Sequence, residues 1–115
     1  MKLLEIQSSP RGDSSDSITL TKSFIEACKS NNTSIAVDTL NVGYERLPKF
    51  DYEAIGVKYK ALKHETMTKA ESNVWKRIQS LIQRFHNADQ IVLGTTMCNF
   101  GLPYKLKHLI DLIAQ

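Results

Sequence analysis

Five serines stand within ten residues near the amino end: Ser8, Ser9, Ser14, Ser15 and Ser17. They run directly into a segment of helical periodicity, so their hydroxyls and the free amides of a first helical turn share one small volume. That combination suits an anion. The amides and the helix dipole favour negative charge, and small hydroxyls add donors without blocking access. One serine is enough to cap a helix, and five exceed that need. Neither G-x-G-x-x-G nor a P-loop ending in Gly-Lys-Ser/Thr is present, and magnesium ligands are not evident. A phosphate monoester therefore fits better than a dinucleotide or a nucleoside triphosphate. A second cluster, Met97-Cys98-Asn99-Phe100, joins a soft side chain, a thiol, an amide and an aromatic ring. Such a set can line one edge and face of a planar heterocycle, with Asn99 and main-chain groups bonding its polar rim. The alternative is an ordinary loop that turns Met97 and Phe100 into the core.

Other reactive residues fit less well. A thiol ahead of a helix can become a thiolate, but a tyrosine-phosphatase loop needs Arg six positions after its Cys, and Tyr104 stands there. Cys28 and Cys98, seventy positions apart, have no metal-ligand spacing, which argues against a disulfide scaffold and for a reducing compartment. His64, His86 and His108 share no ligand spacing either and read as surface or capping residues, so no metal is expected. Trp75 is expected beside the apolar face of a helix.

Positioning these clusters requires elements around them. Lys2 to Gln7 reads as a strand that stops at Ser8-Ser9-Pro10-Arg11-Gly12. Ile18, Leu20, Phe24, Ile25 and Cys28 then fall largely on one face of a helix that ends at Asn31-Asn32. Ile35 to Leu40 reads as a second, more polar strand at a sheet edge, and Asp51 to Leu62 as a short helix. Thr68-Lys69-Ala70-Glu71 is a capping box, followed by Ala70, Val74, Ile78, Leu81, Ile82 and Phe85 at steps of three and four. That helix should end near His86-Asn87. Ile91-Val92-Leu93 is a continuous apolar run, as for a strand covered on both faces. Pro103 suits the first turn of a last helix with Leu106, Leu109, Ile110 and Ile113 inward. Alternating strands and helices imply an α/β fold, a parallel sheet with helices on both faces and right-handed crossovers. If the strand order is 2-1-3, the loops after the first and third strands are neighbours at the carboxyl edge, where such sheets bind ligands.

A chain of 115 residues and 13.0 kDa is sized for one domain, 1–115, with a folded surface of about 6,300 Å². Fifteen basic against twelve acidic residues give a net charge of +3 without a basic stripe, so no nucleic-acid partner is expected. Glu5 interrupts the first apolar run, which argues against a signal peptide, and no stretch approaches the ~20 apolar residues of a membrane span. The cytoplasm is the expected location, with no membrane partner.

Taken together, Ser8-Ser9-Pro10-Arg11-Gly12, Ser15-Asp16-Ser17, Leu47-Pro48-Lys49-Phe50-Asp51, Met97-Cys98-Asn99-Phe100-Gly101-Leu102-Pro103, Leu106-Lys107 and Ile110-Asp111 resemble the FMN-dependent NADH:azoreductase and NAD(P)H:quinone reductase family, which has a flavodoxin-like fold. The resemblance spans the whole chain. It implies that Ser9, Ser15, Asp16 and Ser17 hold the FMN phosphate and that Met97, Cys98, Asn99 and Phe100 contact the flavin ring and ribityl chain. It also implies ping-pong hydride transfer from NADH or NADPH, through FMN, to a quinone or an azo compound. The flavin carries that chemistry, so no side chain need be an acid, base or nucleophile. Family members are usually homodimers, which makes a homodimer the expected state.

Two departures qualify this picture. Cys98 stands where the family has Tyr, which should alter or weaken flavin binding. The family also continues beyond the position of Gln115 with two more strands, their helices and a glycine-rich third flavin loop. In a 2-1-3 sheet lacking them, Ile91-Val92-Leu93 would be an apolar edge that invites pairing. The competing expectation is therefore a non-catalytic remnant that binds FMN or a protein partner without turnover.

Overall fold

The computed structural model describes residues 1–11, 14–49, 51–96 and 101–114. The run Leu3-Leu4-Glu5-Ile6 is the interior of β1 (Lys2–Gln7), almost wholly buried because it forms the middle of the sheet. The other elements follow as α1 (Asp16–Asn31), β2 (Ala36–Asn41), α2 (Tyr52–Leu62), α3 (Lys69–Asn87), β3 (Gln90–Gly94) and α4 (Tyr104–Ile113). The order is β2-β1-β3, all parallel, with Leu4 opposite Asp38 on one side and Ile91 on the other. This is the expected 2-1-3 arrangement of a flavodoxin-like sheet.

Alternation along β1 divides its residues between two faces. Leu4 and Ile6 meet Leu40, Val42, Ala54, Ile78, Leu81, Leu106, Leu109 and Leu112 in one continuous core under α3 and α4. Glu5 and Gln7 face the other way, toward α1, and form a polar ladder with β2. Thr39 Oγ1 and Gln7 Nε2 each donate to the Glu5 carboxylate at 3.0 Å, and Asn41 Nδ2 donates to Gln7 Oε1 at 3.1 Å. A carboxylate buried without such donors would be costly; here both of its oxygens are engaged.

Two inner faces differ from the expectation. On α1 the buried side chains are Ile18, Thr21 and Ile25, whereas Leu20 is 73% and Phe24 53% exposed. Both are offset from the Ile18–Ile25 line in the helical repeat. On α4, Leu112 is buried with Leu106 and Leu109, while Ile110 turns outward. On α3 the expected stripe holds except for Ala70, which is exposed, and Trp75 is packed partly buried against the core.

The sheet's two edges are finished differently. Along β2, Arg84 of α3 grips Asp38 through Nε and Nη2 at 2.9 and 2.8 Å, reaches Glu45 through Nη1 at 3.0 Å, and donates to the Thr39 carbonyl. Along β3, Ile91 is 50% and Leu93 47% exposed, contrary to a strand covered on both faces. The chain presents 7657 Å² to solvent, above the about 6,300 Å² expected for its mass, and these apolar side chains are part of that surface.

Both middle helices begin with side-chain caps. Asp51 accepts from the Ala54 amide at 3.0 Å, and Thr68 with Glu71 forms the expected reciprocal box. At the far end of α2, His64 N–H donates to the Ala61 carbonyl and Glu65 N–H to that of Lys60, a Schellman closure. His64 occupies its left-handed position, with φ of 56°.

Replacing His64 with Gly removes that steric cost and is expected to raise stability by about 1 kcal/mol in urea titrations. The Arg84 guanidinium, chiefly through its hydrogen bonds, holds the Asp38 carboxyl below the usual carboxylate range. A depressed folded-state pKa contributes stability that is complete above the unfolded value of about 3.9 and fades as pH falls through the lower folded one. Asp38→Asn should therefore cost about 1–2 kcal/mol at neutral pH, and its urea midpoint should fall less than the wild type's between pH 6 and pH 3.

Candidate functional site

The hydroxyl-rich turn and the end of β3 lie on the same rim of the sheet, joined at one atom. Both the backbone N–H and the hydroxyl of Ser8 donate to the Gly94 carbonyl, at 3.1 and 2.8 Å. Ser8 is buried, and so is Ser9, whose hydroxyl accepts from the Arg11 amide at 3.3 Å. The first loop thus leaves β1 pressed against the start of the loop that follows β3.

On the other side of Gly94 stands the first turn of α1. Ser15 is its N-cap by position, yet its side chain caps nothing; its buried hydroxyl pairs with that of Ser17 at 2.9 Å. The alternative that these serines merely cap the helix is not met at the N-cap itself, since Ser15 makes no side-chain bond to the first-turn amides. Asp16 is exposed, and Ser14 is exposed as well. Ser9, Ser15 and Ser17 therefore supply hydroxyls, and α1 supplies first-turn amides that Ser15 leaves uncapped, on the rim shared with β3. That donor set fits a phosphate monoester, which needs several donors and no opposing carboxylate bonded among them. The Asp16 side chain, by contrast, carries the wrong charge, so only its amide suits such a ligand.

Met97, Cys98, Asn99 and Phe100 lie outside the described residues, and the expected ring contacts rest on sequence alone. The chain leaves β3 at Gly94 and enters α4 behind Pro103, its N-cap position, which makes no side-chain cap. Sequence reading missed Thr21. It is polar but buried, its hydroxyl donates to the Ser17 carbonyl at 2.7 Å, and it faces Gly94. The signal available was a Thr in phase with Ile18 and Ile25.

A separate cavity of about 1110 Å³ opens between the β2–α2 connection and helices α2, α3 and α4, lined among others by Arg46, Pro48, Tyr52, Lys105 and His108. No described residue of the serine turn lines it. His108 is no free surface histidine: its Nε2 lies 2.6 Å from the Pro48 carbonyl and pins the β2–α2 connection to α4.

The family model for the flavodoxin-like fold matches residues 1–115. The chain belongs to that family. Among curated relatives of this flavodoxin-like chain, FMN-dependent NADH:quinone oxidoreductase 2 of Burkholderia lata is 54% identical over 115 residues, covering 100% of this chain and 56% of its own length. The protein of the same name from Pseudomonas syringae pv. tomato is 43% identical, with 100% and 55% covered. Among solved structures, an FMN-dependent NADH-azoreductase from Bacillus anthracis in complex with FMN superposes with a TM-score of 0.90 at 28% identity, over 100% of this chain and 56% of that one. The chain spans about half the length of the curated relatives it matches.

Ser8→Ala removes one of the two bonds into the Gly94 carbonyl and leaves the backbone bond in place. It is expected to cost about 1 kcal/mol, read as a lower urea midpoint with an unchanged slope.

Proposed function

We propose that this chain, as a flavodoxin-like domain over residues 1–115, carries the phosphate- and ring-binding loops of an FMN-dependent NAD(P)H oxidoreductase acting on quinones and azo compounds. The observation that carries the reading is the junction at Gly94, which brings an uncapped, serine-lined helix start and the loop after β3 to one rim. The names of the relatives and of the matched structure support the same cofactor and electron donor.

Within this reading Ser9, Ser15 and Ser17, with the Asp16 amide, hold the phosphate, and Met97, Cys98, Asn99 and Phe100 line the ring. When bound, FMN would supply two-electron hydride chemistry, taking a hydride from NADH or NADPH and delivering it to a quinone or azo bond in ping-pong order. The chain's own part is to bind and orient: the hydroxyls and α1 amides fix the phosphate end, and the Met97–Phe100 loop sets the plane of the ring. No side chain here is assigned a proton to move. The active form is a cytoplasmic homodimer in this proposal. No described helix is long and apolar enough to cross a membrane.

A second reading is flavin binding without turnover. It is favoured by the exposed apolar side chains Ile91 and Leu93 of β3. One titration separates the two. Flavin fluorescence on adding protein reports binding, and loss of nicotinamide absorbance with a quinone present reports turnover. The oxidoreductase reading expects both; binding without NADH oxidation selects the second reading, and no binding at saturating FMN overturns both. Ser9→Ala and Ser17→Ala should each weaken FMN binding about tenfold by removing a charge-assisted bond to phosphate.

A further inference from the structure

Gly94 is buried at the end of β3, and the space a side chain would take is already filled. A Cβ at that position would overlap Thr21 Oγ1 and lie 3.4 Å from the Ser17 carbonyl oxygen. Thr21 cannot easily turn away, because it is itself buried and its hydroxyl is held by the Ser17 carbonyl at 2.7 Å. On its other side Gly94 receives both donors of Ser8. Three segments thus meet at a residue without a side chain: the turn after β1, the first turn of α1 and the start of the loop after β3.

We infer that Gly94 and Thr21 are positioning residues for the flavin. The contact between them sets how far the phosphate-binding turn of α1 stands from the end of β3, where the chain sets out toward the proposed ring-binding residues. This rests on the proposed FMN site. FMN spans a fixed length from its phosphate to its ring, so both ends bind together only if the two turns keep their spacing. Thr21 acts through Ser17: its bond to the Ser17 carbonyl holds the first turn of α1 while its side chain rests on Gly94. Neither residue touches the reacting atoms.

The arrangement predicts a selective defect. Gly94→Ala should push the α1 turn outward, so FMN binding weakens about tenfold while riboflavin, which has no phosphate to place, weakens about twofold or less. Removing the obstruction from the opposite side should repair the steric part: in Gly94→Ala with Thr21→Ala the new methyl occupies the space left by the threonine side chain, and FMN affinity should come within about threefold of that of Thr21→Ala alone. Thr21→Val keeps the bulk and loses the bond to Ser17, and by itself should weaken FMN more than riboflavin. It tests the same contact from the helix side if Gly94→Ala does not fold.

The measurement is flavin fluorescence titration of the full 115-residue chain with FMN and with riboflavin, beside urea unfolding of each variant. Equal losses for the two flavins, absence of repair in the double variant, or wild-type FMN affinity in both Gly94→Ala and Thr21→Val would overturn the inference while leaving the FMN site standing. A wild-type chain that takes up no FMN would overturn the site, and with it the inference.

Discussion

One carbonyl oxygen, that of Gly94, holds together the part of the molecule where chemistry can happen. A parallel sheet ordered 2-1-3 places the ends of β1 and β3 side by side, but neighbouring ends do not by themselves make a cleft. The chain leaves both strands in loops, and loops diverge unless bonded. Ser8 prevents this with two donors from one residue, extending the β1–β3 ladder one step past its last pair, Gln7 and Gly94. The missing side chain at Gly94 then lets α1 approach the same spot. Sheet register, loop course and helix position are thereby coupled, and the site inherits the rigidity of the central strand.

The two sheet edges show how differently the same backbone problem can be met. An edge strand offers unpaired amides and carbonyls, and proteins blunt such edges with charge or cover. On β2 the solution is Arg84, which engages two carboxylates and the Thr39 carbonyl from α3. On β3 nothing comparable stands among the described residues: Gln90-Ile91-Val92-Leu93-Gly94 carries no charge and leaves Ile91 and Leu93 half exposed. The site therefore borders a strand that is well bonded toward β1 and open on its far side. Ser8 and Thr21 both reach Gly94 from the bonded side.

The order of elements was legible because each strand and helix carried its own local signal. The capping box at Thr68 and Glu71, the Asp51 start of α2 and the strand Lys2 to Gln7 all agree with the structure, as does the polar character that marked β2 as an edge. Inner faces were less legible. Hydropathy pointed Leu20 and Phe24 inward and passed over Thr21, but the helix is oriented by what Gly94 admits, and a small hydroxyl fits there where a larger residue would not. Glu5 was equally opaque, because its burial depends on Thr39 and Gln7, one of them 34 positions away. The serines as a group suggested an anion site, and the structure adds where each hydroxyl goes. Their division of labour, with Ser8 as a structural clamp and Ser15 bonded to Ser17, follows from tertiary contacts that spacing does not encode.

The helix starts add a last step to this reasoning. Four helices each leave their first amides without partners, and the chain treats them in two ways. Helices α2 and α3 close theirs with Asp51 and with Thr68 and Glu71. Helices α1 and α4, which follow the two strands that meet at the Ser8–Gly94 junction, have no side-chain cap, although Ser15 stands in the N-cap position of α1 with a hydroxyl suited to the task. An N-cap is worth about 1 kcal/mol, so the bond that Ser15 leaves unmade forgoes stability that this sequence secures at α2 and α3. The uncapped amides fall where strand order already directs a ligand. Strand order and the placement of the serines thus bear on the start of α1 by separate routes, one through topology and one through donor chemistry.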